Sequence, residues 1–128
     1  MQNVHRYFMY VALLFIGFLS YDVWKALWFA DPVSANESFG LGIGTLVLAT
    51  NVVLLGGYTF GCHSLRHLVG GIMDRLSGSK VRFTAYRCVS CLNRKHMMWA
   101  WLSLFWVSFT DLYIRLCAMG IWTDYRIF

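Results

Sequence analysis

The chain has 128 residues, of which 59% are apolar, 18% aromatic and only 13% charged, with a formal net charge of +5. A charged share about half that of ordinary soluble domains excludes a soluble fold and points to an all-α membrane protein. The length leaves room for one domain, and the positive charge comes with no recognisable nucleic-acid-binding module.

Three stretches are long enough to cross about 30 Å of hydrocarbon, which takes roughly 20 helical residues: 7 to about 30, 40–62, and 97 to about 122. The first contains an apolar run, Val11 to Phe18, that resembles the core of a signal peptide. No small-residue cleavage site follows, and bulky Trp24, Leu27 and Trp28 continue the run, so it reads as a retained span. The short loop after it carries Asp31 and Glu37 and no base.

The second span is rich in glycine. Gly40 with Gly44, and Gly57 with Gly61, form small-xxx-small pairs that let helices approach closely in lipid. The helix is expected to run on without a break, to about residue 75, through Cys62, His63, Ser64, Arg66 and His67. Redox-capable and anion-binding side chains are thereby delivered to the membrane edge.

The loop 63–96 is long and basic, with Arg66, Arg75, Lys80, Arg82, Arg87, Arg94 and Lys95 against the single acid Asp74. Arg6 lies on the same side. Because Lys and Arg stay inside, the N-terminus and this loop are expected in the cytoplasm and the C-terminus outside, in a multi-pass protein of the bacterial inner membrane. Tyr7, Tyr10, Trp24, Trp28, Trp99 and Trp101 fall where aromatic rings anchor span ends in the headgroup layer.

Candidate ligands cluster at that inner edge. His63 and His67 are four residues apart and share a helix face; Cys88 and Cys91 form a C-x-x-C, a spacing that chelates a metal or closes a redox disulfide. With His96 these residues suit zinc or a Rieske-type iron-sulfur cluster. The competing reading is of reduced thiols and packed or hydrogen-bonded histidines, the default in a cytoplasmic compartment. Cys117 reads as a small packing residue.

The third span holds charge at depth. Asp111 lies fifteen residues beyond His96, roughly 22 Å along a helix at 1.5 Å per residue. Arg115 follows at i, i+4 and can pair with it. Asp22 and Lys25 stand at a comparable depth in the first span, so a four-residue polar cluster is expected, serving helix register or facing a proton path or a partner.

The stretch FGCHSLRHLVGGIMDRL resembles the membrane-anchor subunits of succinate dehydrogenase and fumarate reductase, in which a small-residue helix ends in an Arg-His pair and a polar turn. The run LNRKHMMWAWLSLFWVSFTDLYIRL is similar to the last helices of the heme-free anchors of actinobacteria, and the two motifs cover about half of the chain. The resemblance implies a role in succinate:quinone oxidoreduction, respiratory electron transport coupled to the tricarboxylic acid cycle. A flavoprotein oxidises succinate, an iron-sulfur subunit carries the electrons, and the anchor docks that subunit and shapes the quinone site. It places Ser64, Arg66 and His67 at that site. Arg stabilises charge developing on a quinone oxygen, and His or Ser relays protons.

Heme-bearing members have an axial histidine about two turns before the Arg-His pair. Phe60 occupies the corresponding position, so heme b is not expected from this chain. The heme-free subfamily implies a Rieske-type [2Fe-2S] cluster, with Cys62, His63, His67, His96 and Asp111 as candidate ligands and Cys88 and Cys91 as weaker ones. It also implies a second membrane-anchor chain supplying further helices. The alternatives are a stand-alone metal or thiol-redox membrane protein using Cys88 and Cys91, and a structural assembly subunit.

Overall fold

A computed structural model describes residues 2–30, 37–71 and 80–127. Five helices and one small hairpin account for most of them: α1 Gln2–Ala26, β1 Trp28–Ala30, β2 Glu37–Phe39, α2 Ile43–Phe60, α3 His63–Gly70, α4 Lys80–Arg94 and α5 His96–Ala118. Within α1 the segment Val4–Ala26, and the whole of α2, are long and apolar enough to cross a membrane. The 23 residues of α5 span a similar distance, about 34 Å. Among the described residues only α1 and α2 reach that apolarity; serines, Thr110, Asp111 and Arg115 dilute α5.

The central helix is α2, packed against α1 on one side and α5 on the other. Both neighbours run antiparallel to it. Thr45 Oγ1 donates to Ala26 O at 2.8 Å and His5 meets Cys62 at the other end, fixing α1. Trp106 Nε1 donates to Val47 O at 3.1 Å, fixing α5. The buried positions of α2 are mostly small or polar, Thr45, Val47, Asn51, Gly56 and Thr59. Close backbone approach, not a pile of large side chains, holds the bundle.

The Gly57–Gly61 pair is used in this way. A Cβ on Gly57 would lie 2.6 Å from the Trp99 ring, and one on Gly61 would lie 3.1 Å from Leu92 O. Both glycines therefore admit the limb formed by α4 and α5.

At the hairpin end, β1 and β2 pair antiparallel with Trp28 opposite Phe39. The chain leaves α5 through Gly120, whose φ of 72° is the left-handed conformation that suits glycine. Gly120 N–H donates to Cys117 O and Ile121 N–H to Leu116 O, both at 3.0 Å, closing a Schellman turn. The tail then returns to α2. Asp124 Oδ1 accepts from Gly44 N–H at 2.8 Å and from the Tyr113 hydroxyl at 3.0 Å. Arg126 donates to Ser38 Oγ and Phe39 O, each at 3.1 Å, and lies over the Phe29 ring.

Four expectations change. The second helix does not run unbroken past Cys62: it stops at Phe60 and α3 starts afresh at His63. The loop 63–96 is largely helical, since α3 and α4 pack on each other. The first helix ends at Ala26, because residues from Trp28 on enter the hairpin. The polar cluster of four is not formed among the described residues: Asp111 pairs with Arg115 of its own helix, and no ion pair reaches Asp22 or Lys25 because α2 separates α1 from α5. Asp31, Asp74, Arg75 and the expected continuation of the helix to residue 75 lie outside the described residues.

Candidate functional site

The site lies at the end of the bundle where α2 breaks. Gly61 caps α2 with its N–H on Gly57 O at 3.0 Å, and Cys62 then takes an extended conformation, φ −66° and ψ 137°. The Cys62 carbonyl accepts from Leu65 N–H at 3.1 Å and Arg66 N–H at 3.2 Å, so α3 is nucleated in a new direction. Asn93 of α4 holds the break open by donating Nδ2 to Gly61 O at 2.8 Å. Without that bond a carbonyl at the helix end would lack a partner.

Helix α3 groups His63, Ser64, Arg66 and His67 within two turns. The Nε2 atoms of His63 and His67 are 3.2 Å apart and their ring centroids 4.3 Å. That distance suits a hydrogen bond between the two rings, one nitrogen donating and the other accepting according to tautomer. Arg66 Nη2 donates to the Tyr86 hydroxyl at 2.9 Å, and its Cζ lies 5.4 Å from the same ring. The Arg66 bond lowers the Tyr86 pKa below its ordinary value. Tyr86 reaches this position over Gly70, where a Cβ would stand 2.8 Å from the ring. Ser64 is buried.

Cys62 points the other way, toward α1. Its Sγ is 3.2 Å from His5 Nε2, and the two close one end of a cavity of about 260 Å³ between α1 and α2, lined mainly by Phe8, Met9, Ala12, Tyr58 and Thr59. His96, the first residue of α5, stacks on Tyr58 with centroids 4.8 Å apart.

The structure thus brings Ser64, Arg66 and His67 onto one short helix, and separates the other candidates. Cys62 pairs with His5, His63 with His67, and His96 with Tyr58. Cys88 and Cys91 are exposed free thiols on α4. Asp111 lies along α5, in its ion pair with Arg115. Among the described residues no three His, Cys, Asp or Glu side chains gather as a metal site. Among the described residues the extended turn at Cys62 sends its thiol to α1, while α3 carries His63 and His67 in another direction.

Sequence reasoning missed His5, Tyr58 and Tyr86. His5 sits in the polar flank before the first span, and its partner is 57 positions away. Tyr86 belongs to a stretch read as loop; the apolar periodicity of α4 is the signal that would have found it.

Residues 1–120 match the family model described as actinobacterial succinate dehydrogenase subunit SdhC. A chain of the Mycobacterium smegmatis Sdh1 complex in the apo form is similar, at 39% identity and a TM-score of 0.85. The likeness covers 99% of this chain and 46% of that one, so this chain spans about half the length of its relative. No curated protein matches. With residues 1–120 matched by the family model, the Arg66–His67 pair among them, the chain belongs to the family of actinobacterial succinate dehydrogenase membrane subunits.

Proposed function

We propose that the chain is a membrane anchor of a succinate:quinone oxidoreductase, with α1, α2 and α5 as three spans, the N-terminus and the α3–α4 limb on the cytoplasmic side, and a quinone head group bound at Ser64, Arg66 and His67. The observation that carries this reading is the Arg66–Tyr86 bond beside the His63–His67 pair. A fixed guanidinium favours negative charge developing on a quinone oxygen, and a histidine that takes up a proton from water on one nitrogen can pass one on to the quinone. The break after Phe60 sets this chemistry at the end of an apolar helix, where a lipid-soluble substrate meets water.

The exposed bases Lys80, Arg82, Arg87 and Arg94, on a helix without an acid, suit the docking of an iron-sulfur subunit, which in turn carries the flavoprotein. A second anchor chain completes the bundle. No step is assigned to a membrane cluster, since the residues described do not assemble one.

The test is Arg66→Ala in the intact complex. Succinate oxidation by a soluble artificial acceptor should be kept, while succinate:quinone activity falls about tenfold or more, the scale of losing a charge-stabilising donor. Unchanged quinone reduction would remove Arg66 from the site.

A further inference from the structure

The cavity of about 260 Å³ between α1 and α2 has no part in the site on α3: Cys62 turns toward His5 of α1, and neither Ser64, Arg66 nor His67 lines the space. It is a pocket of its own. Met9 and Thr59, each only 4% exposed, wall it together with Phe8, Ala12 and the buried Cys62. No Asp, Glu, Lys or Arg is among its lining residues.

Thr59 is the group left over. Every other helical threonine among the described residues uses its hydroxyl inside the protein: Thr50, Thr84 and Thr110 donate to the carbonyl four residues back, and Thr45 donates to Ala26 O. The Thr59 hydroxyl makes no such bond and has no partner among the described residues, although the residue is buried. A buried hydroxyl without a partner is costly, and the cavity that Thr59 lines is where a partner can sit. A water there would want about two to four polar partners, and Phe8, Met9 and Ala12 supply none. A charged ligand fits no better, since no opposite charge lines the walls to offset its loss of water.

We infer that this cavity binds a neutral, lipid-soluble molecule, with a carbonyl or hydroxyl oxygen bonded to the Thr59 hydroxyl and an apolar body against Phe8, Met9 and Ala12. The size suits such a head: a dry cavity of about 150 Å³ already holds benzene. Both walls belong to helices long and apolar enough to cross a membrane, so the ligand arrives from hydrocarbon. No guanidinium lines the space to favour negative charge on the ligand, so the pocket binds and does not reduce. Two membrane sources share this chemistry, the ring of a quinone and the ester end of a neutral glyceride.

Benzophenone is the probe, a neutral ketone that inserts into nearby C–H bonds on irradiation. It is added to native membranes containing the whole complex, and adducts are mapped by mass spectrometry after digestion. The expected result is saturable labelling of the peptide bearing Met9 and Ala12. Thr59→Val should weaken its apparent affinity about fivefold, the equivalent of one neutral hydrogen bond, and Ala12→Phe, which fills the space, should abolish it. Arg66→Ala should leave the labelling unchanged, so failure of the quinone site on α3 and failure of the cavity are told apart. Displacement of the probe by a long-chain quinone alone names the quinone pool as the source, and displacement by diacylglycerol alone names a neutral lipid; either supports the pocket. Labelling that does not saturate, that falls on other segments, or that is indifferent to both Thr59→Val and Ala12→Phe would overturn it.

Discussion

The guanidinium of Arg66 and the hydroxyl of Tyr86, twenty positions apart, meet at 2.9 Å and tie α3 to α4. Tyr86→Phe removes the acceptor and keeps the ring under the charge. We expect quinone turnover to fall about fivefold, the equivalent of one hydrogen bond of about 1 kcal/mol, with assembly intact. Steady-state kinetics with succinate and a short-chain quinone check this. Loss of the complex from membranes would instead make Tyr86 a structural residue.

At Gly57 of α2 the Trp99 ring of α5 stands 2.6 Å from where a Cβ would be. Gly57→Val should destabilise the bundle by about 1–3 kcal/mol through overpacking, read as a lower thermal midpoint of the detergent-purified complex. Gly17, with nothing near its Cβ position, is the control: Gly17→Ala should leave the midpoint unchanged or raise it.

Asp124→Ala leaves the Gly44 N–H and the Tyr113 hydroxyl without their acceptor. A loss of about 1–3 kcal/mol is expected from the unsatisfied donors. It should appear as rapid proteolysis after residue 120 in sealed vesicles exposing that face. Asp124→Asn, which keeps an acceptor oxygen, should resist cleavage for longer.

Much of this was legible in the residues. Apolar runs located α1 and α2, because hydrocarbon imposes a length and a composition. The Arg66–His67 pair named the family, and the i, i+4 spacings named two real contacts, His63 with His67 and Asp111 with Arg115. What was not legible depended on chain direction at single residues. Cys62 reads as one more helical position, yet its extended backbone parts it from His63 and turns its thiol toward α1. His5 and Tyr86 act through partners remote in sequence, and periodicity carries no information about such pairs. The polar interior of α2, with Asn51 buried, was likewise hidden, since a helix rich in Val and Leu looks uniform until its neighbours are placed.

The tail that returns from α5 gives the molecule a pivot. Asp124 grips the start of α2, and Arg126 grips the hairpin that follows α1, so all three long helices are buckled together at one level. At the opposite end the described links are side-chain ones: His5 with Cys62, Tyr58 with His96, and Asn93 with Gly61. The cavity that His5 and Cys62 close therefore lies between α1 and α2 at the end of the bundle that the tail does not clasp.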